Sequence, residues 1–177
     1  MFKSLQITLL FSILFVVFTS CDEEKKDSKN EIEFTSWTEE RIPIIDYDEF
    51  KPMIKVENKK KLHVFNFWAT WCKPCVEELP YFEKINQKYD EVEVTLVSLD
   101  FPNKLSSQVI PFANKHQLVS NIVLLDDTRS HFWIPDIDEN WSGAIPATLM
   151  FSKSNKDFFE KAFTFEELET EIIKYLK

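Results

Sequence analysis

An apolar stretch of this chain runs directly into two cysteines that only two residues separate. Residues 62–68 (LHVFNFW) are mostly aromatic or aliphatic, a composition that favours a buried strand. Cys72 and Cys75 follow within a few positions, and beyond them apolar residues recur at helical spacing through residue 89. The chain therefore has to turn from a strand into a helix at the cysteines, and this turn constrains both the fold and the chemistry.

Strands and helices are predicted to alternate along the chain. The predicted strands cover residues 62–68, 91–99, 121–125, a stretch that starts at Ala147, and 157–163. The predicted helices cover 46–57, 73–89, 105–116 and 164–175, and Thr164 with Glu167 forms a capping box at the start of the last one. Residues 129–142 are rich in Trp and Asp and are predicted to be irregular. This order implies an α/β fold with a mixed central sheet that helices cover on both faces.

Length and charge restrict the classes of function. The chain has 177 residues, of which 44% are hydrophobic, and this is enough for one domain with a sizeable core. Its net charge is −9, and it has no basic patch with interleaved aromatic residues. Nucleic acid is therefore not expected as a partner.

The N-terminus resembles a bacterial lipoprotein signal. Lys3 gives a positive start, the apolar run over 5–18 is shorter than a membrane span needs, and a small residue precedes Cys21. Residues 1–20 are therefore predicted to be a lipoprotein signal peptide and Cys21 to carry the lipid anchor. An uncleaved anchor and a conventional signal peptide are the alternatives. The charged residues after Cys21 predict a flexible tether over 21–40, ahead of a domain that spans 41–177.

Cys72 and Cys75 allow three interpretations. A structural zinc site needs four ligands, and the three histidines (His63, His116 and His131) are not spaced as a ligand pair, so no metal site is predicted. A permanent structural disulfide would close too short a loop to constrain the unfolded chain much. The third interpretation, a redox-active pair, agrees best with the neighbouring residues.

The position of the two cysteines suits redox chemistry. At a helix N-terminus the unpaired N–H groups and the helix dipole favour a thiolate, which lowers the pKa of a thiol there. Cys75 lies three residues after Cys72 on the same helix face, so the two sulfurs can reach bonding distance. Cys72 is therefore expected to be the exposed nucleophile and Cys75 the buried resolving thiol.

The sequence FWATWCKPC resembles the active site of the thioredoxin superfamily. Its continuation, CVEELP, is most similar to the membrane-tethered TlpA/ResA-like branch of thiol–disulfide oxidoreductases. The likeness covers about residues 41–177 and implies a thioredoxin-like fold. It also implies that the first residue of the pair attacks a substrate disulfide and that the second resolves the mixed disulfide.

The resemblance assigns further site residues. Ile145 and Pro146 match the cis-proline loop that faces the dithiol and pairs with an extended substrate. Glu78 aligns with a glutamate proposed as the proton handler in the ResA-like branch. Asn66 stands where thioredoxin itself has a buried Asp, so the base role falls to Glu78 as a hypothesis. Trp71 is expected to give protein substrates an apolar contact.

Together these features predict an enzyme of the cell envelope that reduces protein disulfides and is lipid-anchored to a membrane facing the periplasm or the cell surface. The resemblance implies a membrane thiol carrier as the electron donor and no cofactor. Three alternatives stay open: a thiol oxidase, a peroxidase on the same fold, and a metallochaperone that binds copper(I) through both thiolates.

Overall fold

The stretch that precedes the cysteines forms a fully buried strand at the centre of the sheet. The computed structural model describes residues 34–55 and 62–177. The strands in these ranges are β1 (Ile44–Ile45), β2 (Leu62–Trp68), β3 (Val92–Ser98), β4 (Asn121–Leu125), β5 (Ala147–Phe151) and β6 (Lys156–Phe159). They form a sheet in the order β1-β4-β3-β2-β5-β6. The first four strands in that order are parallel, and β5 and β6 each pair antiparallel with the strand before them.

Helices connect these strands. They are α1 (Tyr47–Phe50), α2 (Lys73–Lys88), α3 (Ile110–Lys115), α4 (Ser130–Ile137) and α5 (Phe165–Leu176). Short 3-10 turns cover Glu39–Arg41, Met53–Lys55 and Pro102–Lys104, and a π-helical segment, Leu105–Val109, leads into α3. Pro111 lies in the first turn of α3, where a missing N–H costs least.

The sheet is covered on both faces, as predicted, because the side chains of its strands alternate between two hydrophobic clusters. On one face Val64 and Trp68 of β2 pack in a cluster with residues of α2 and α5. On the other face Phe65 and Phe67 pack in a cluster with residues of α1 and α4. Successive side chains of a strand point to opposite faces, so β2 contributes to both clusters.

Several predicted elements are confirmed and others are not. In the described part of the helix predicted over 46–57, only Tyr47–Phe50 is α-helical, before a 3-10 turn at Met53–Lys55, and the strand predicted over 157–163 ends at Phe159. Strand β2, helix α2, strand β4 and the capping box at Thr164 stand as predicted. Residues 129–142 were expected to be irregular, but Ser130–Ile137 forms α4 despite Pro135. The reason is tertiary packing, because Trp133 and Ile137 lie one helical turn apart and are both buried in the cluster of α1 and α4.

The packed part of the chain begins before the predicted domain boundary at residue 41. Trp37 is only 5% exposed, and its indole Nε1 donates a hydrogen bond of 2.7 Å to the carbonyl oxygen of Leu118. Its backbone N–H donates to Oδ1 of Asn114 over 2.7 Å. The last residues of the segment assigned to the tether, from 34 onward, are therefore part of the structured protein.

Other predictions concern residues that lie outside the described ranges. They are the predicted signal peptide (1–20), the lipid anchor at Cys21 and the first part of the tether. Within residues 34–55 and 62–177, none of the helices combines the length and the apolar character that crossing a bilayer requires.

Candidate active site

The turn between β2 and α2 holds both cysteines. The strand ends at Trp68, and Cys72 is the N-cap of α2, with φ −87° and ψ 98°. Pro74 falls in the first helical turn, where its fixed φ suits the helix and no N–H is needed. The backbone N–H of Cys75 donates to the Sγ atom of Cys72 over 3.4 Å. A sulfur at this position lies close to the partial positive charge of the helix N-terminus, and this charge stabilises a thiolate.

Cys72 and Cys75 are joined by a disulfide bond in this structure. Cys72 keeps 6% of its surface exposed and Cys75 keeps none, so an external thiol or disulfide can reach only the first of the two sulfurs. This asymmetry agrees with the expected roles of nucleophile and resolving thiol. In the described part of the chain, no group of three or more His, Cys, Asp or Glu residues is arranged to hold a metal ion.

The loop before β5 faces the disulfide. The carbonyl oxygen of Ile145 lies 3.7 Å from the Sγ atom of Cys72. The peptide bond between Ile145 and Pro146 is cis, as the resemblance implied. Pro146 is buried and has no N–H, so it offers no hydrogen-bond donor to the sulfur.

Glu78 is buried one helical turn after Cys75, with 1% of its surface exposed. Its Oε1 atom accepts a hydrogen bond of 2.8 Å from the side-chain amide of Asn66, and its Oε2 atom accepts one of 2.7 Å from the backbone N–H of Phe163. Burial raises the pKa of Glu78 to about 7, although both hydrogen bonds favour the ionised form. A carboxyl group with this pKa can release or take up a proton near neutral pH.

The two tryptophans of the motif differ in their surroundings. Trp71 is 66% exposed beside Cys72, where it is free to contact another molecule. Trp68 is fully buried, and its ring centroid lies 5.3 Å from that of Phe112.

Glu77 forms an exposed ion pair with Lys73 over 3.7 Å, as expected for a carboxylate on the helix surface.

Asp100 belongs to this site although sequence reasoning missed it. Its carboxylate accepts hydrogen bonds from the backbone N–H of Thr70 (2.9 Å), the hydroxyl of Thr70 (2.6 Å) and the hydroxyl of Ser98 (2.9 Å). These bonds tie the loop that leads to Cys72 to the carboxyl end of β3. The available signal was an acidic residue directly after the predicted strand over 91–99, because two strands that one helix connects are usually parallel and end at the same edge of a sheet.

Comparison with known proteins agrees with this arrangement. The thiol-disulfide oxidoreductase ResA of Bacillus cereus is 46% identical over 104 residues, which are 58% of this chain and 56% of that protein. The thioredoxin-like protein YneN of Bacillus subtilis is 40% identical over 67 residues, which are 37% of this chain and 39% of that protein. The chain thus spans little more than half, or less, of the length of these curated relatives.

Solved structures share the fold. A thioredoxin-related protein from Neisseria meningitidis serogroup B has a TM-score of 0.55 and 21% identity, over 66% of this chain and 85% of that chain. The structure of MTB dsbF in its mixed oxidized and reduced forms has a TM-score of 0.50 and 25% identity, over 65% and 81%. The predicted thioredoxin-like fold is therefore confirmed.

The family model described as Redoxin matches residues 53–156, more than half of the chain, and the chain therefore belongs to the Redoxin family.

Proposed function

We propose that this protein is a thiol–disulfide oxidoreductase that reduces disulfides of other proteins through Cys72 and Cys75. The observation that carries the proposal is the disulfide between these residues at the N-terminus of α2, where only Cys72 keeps an exposed surface. The identity to ResA and YneN over the matched segments supports the same chemistry.

The reaction consists of two exchanges. In the reduced protein the Cys72 thiolate attacks one sulfur of the substrate disulfide, a mixed disulfide forms, and the other substrate sulfur leaves as a thiolate and takes a proton from water. The Cys75 thiol then loses its proton and attacks Cys72 in the mixed disulfide, which releases the second substrate sulfur. The substrate gains two electrons and two protons, and the protein ends as the Cys72–Cys75 disulfide.

Glu78 supports the second exchange as the proton handler. Its buried carboxyl group lies one turn from Cys75 on α2 and has a pKa near 7, so its ionised form can take the proton of the Cys75 thiol. In the reverse direction the protonated form returns a proton to the Cys75 thiolate as the disulfide is reduced. Asn66 holds the carboxylate by its amide and cannot itself take the proton.

The chain is further proposed to be exported and lipid-anchored through Cys21, facing the periplasm or the cell surface. The positive residue, the short apolar run and the small residue before Cys21 support this location. A reductant in an oxidising compartment needs electrons from elsewhere, so a membrane thiol carrier is the proposed donor. Metabolic labelling with a radioactive fatty acid tests the anchor: Cys21→Ser should abolish the label, and a label that persists would refute it.

The redox potential tests the proposed direction. The full-length chain carrying Cys21→Ser would be equilibrated in non-ionic detergent with graded thiol–disulfide buffers, and the fraction of Cys72–Cys75 disulfide measured by alkylation. A potential near or below about −230 mV supports a reductant, whereas one near about −120 mV makes the protein a disulfide donor. If no reversible Cys72–Cys75 disulfide forms at any of the buffer potentials, the proposed redox function is wrong.

A further inference from the structure

Two exposed aromatic side chains stand directly after the two residues that hold the active-site loop. Thr70 and Asp100 are joined by two hydrogen bonds, and Trp71 and Phe101 are the next residues in the chain. Trp71 is 66% exposed and Phe101 is 72% exposed. Because Trp68 of β2 and Ser98 of β3 are partners in parallel strands, the two loops leave the same edge of the sheet.

The exposure of these rings is not explained by folding. Burial in a core stabilises a large apolar side chain by removing it from water, so a Phe that is 72% exposed contributes little in this way. A group of exposed apolar residues at one place on a surface is typical of an interaction site. Here Trp71 directly precedes Cys72, whose sulfur a substrate has to reach, and Phe101 follows Asp100, which is hydrogen-bonded to Thr70.

Asp100 keeps this pair of aromatic residues in a defined position. Asp100 is only 3% exposed, and its carboxylate accepts hydrogen bonds from three donors on Thr70 and Ser98. An aromatic ring on a loop that is fixed in advance loses less conformational entropy when a partner binds. The hydrogen bonds of Asp100 therefore hold Trp71 and Phe101 in position as well as the active-site loop.

We propose that Trp71 and Phe101 form one aromatic recognition surface for the polypeptide that carries the substrate disulfide, and that Asp100 is its positioning residue. The partner is a polypeptide with apolar side chains next to its cystine. This choice follows from the position of Trp71 next to Cys72 and from the carbonyl oxygen of Ile145, which lies 3.7 Å from the Cys72 sulfur and can accept a hydrogen bond from an extended backbone. The inference rests on the proposed function, because it names what the dithiol acts on.

Three disulfide substrates distinguish recognition of the polypeptide from the disulfide exchange itself. The first is a synthetic peptide with one disulfide flanked by Leu and Phe, the second is the same peptide with Ser and Asn at those positions, and the third is 2-hydroxyethyl disulfide. The reduced full-length chain with Cys21→Ser would be mixed with each in non-ionic detergent, and second-order rate constants measured by rapid acid quench. The readout is the ratio of each peptide's rate constant to that of the small disulfide.

The wild-type ratio should be higher for the apolar peptide than for the polar one. Phe101→Ala should lower the ratio for the apolar peptide about tenfold, the loss expected when most of a Phe side chain is no longer buried on binding. Asp100→Asn should lower it in the same direction, because one amide oxygen cannot accept the bonds that two carboxylate oxygens accept. Phe132→Ala is the matched control. Phe132 is also an exposed Phe (49%), but its ring lies near that of Tyr47 in α1 and it is not part of the proposed surface, so this variant should keep the wild-type ratio.

The possible results are distinguishable. If Phe101→Ala keeps the preference for the apolar peptide, or Phe132→Ala loses it equally, the inference is overturned. If the wild type reduces all three disulfides without preference, the inference fails and the proposed function stands. If it reduces none, the proposed function itself fails. Sedimentation equilibrium completes the test, since a dimer that Phe101→Ala dissociates would assign the surface to a second copy of the chain and overturn the inference.

Discussion

Glu78 and Asn66 are hydrogen-bonded to each other inside the protein, with the amide Nδ2 of Asn66 donating to Oε1 of Glu78 over 2.8 Å. Among the described residues, nothing donates a hydrogen bond to Oδ1 of Asn66. A rotated amide would present that oxygen to the carboxyl group and could accept a hydrogen bond from its protonated form. The Asn66 side chain can therefore serve either protonation state of Glu78, whereas an Asp at this position would add a second charge.

Replacing Glu78 by Gln should change the pH dependence of disulfide reduction. When a small dithiol reduces the Cys72–Cys75 bond, protonated Glu78 returns a proton to the leaving Cys75 thiolate. The rate constant, divided by the thiolate fraction of the reductant, should therefore fall in the wild type as the pH rises through about 7. Glu78→Gln should be slower by about 100-fold at pH 6 and should lack this fall. Stopped-flow fluorescence between pH 5 and 9 measures both.

Glu83 provides the control for this experiment. It lies on the same helix and is buried, which raises its pKa, but its carboxylate accepts hydrogen bonds from the backbone N–H groups of Val119 and Ser120. Glu83→Gln should keep the wild-type pH profile. A Glu78→Gln profile parallel to that of the wild type would show that Glu78 does not handle the proton.

The stability of the oxidised protein should also depend on Glu78. Its folded pKa of about 7 lies above the ordinary value of 4.5, so the folded state binds this proton more tightly than the unfolded state does. The resulting stabilisation is fully present below pH 4.5 and is lost as the pH rises to about 7. Relative to Glu78→Gln, the wild type should lose about 3 kcal/mol of unfolding free energy across this interval. Urea unfolding at pH 4.5, 6 and 7.5 would measure the difference, and a constant difference would contradict the assigned pKa.

Cys75→Ala should trap substrates on Cys72. Without the resolving thiol, the second exchange cannot occur and the mixed disulfide persists. Non-reducing electrophoresis of cells that express the variant should show adducts that disappear on reduction. Cys72→Ala should give far fewer adducts, because Cys75 has no exposed surface. Equal trapping by both variants would refute the assignment of Cys72 as the nucleophile.

Trp37 should contribute strongly to stability although it precedes the predicted domain. Trp37→Ala removes a buried ring and the hydrogen bond to Leu118, and we expect a loss of about 3–5 kcal/mol in unfolding free energy. Trp71→Ala is the matched control, since Trp71 is 66% exposed and its loss should change the free energy by less than about 0.5 kcal/mol. Urea denaturation compares the two. A cost for Trp37→Ala no larger than that of the control would mean that residues 34–40 do not stabilise the fold.

Much of the fold could be predicted because its signals are local. The composition of 62–68, the helical spacing after Cys75 and the capping box of Thr164 and Glu167 each depend on residues close together in the chain. The two-residue strand β1 was missed because so short an element has no detectable period. Helix α4 was missed because Pro135 and the neighbouring Asp residues are turn signals, and only the packing of Trp133 and Ile137 outweighs them.

The sequence by itself determined the strand-to-helix turn, the pair of cysteines at its end and the alternation that builds a covered sheet. Only the tertiary structure decided what surrounds the dithiol. The partners of Glu78 lie 12 and 85 positions away, at Asn66 and Phe163, and Asp100 reaches Thr70 across 30 positions. The physical reason is that helix and strand propensities act between neighbours in the chain. Burial, and with it the raised pKa of Glu78, depends instead on which distant residues the packed core brings against a side chain.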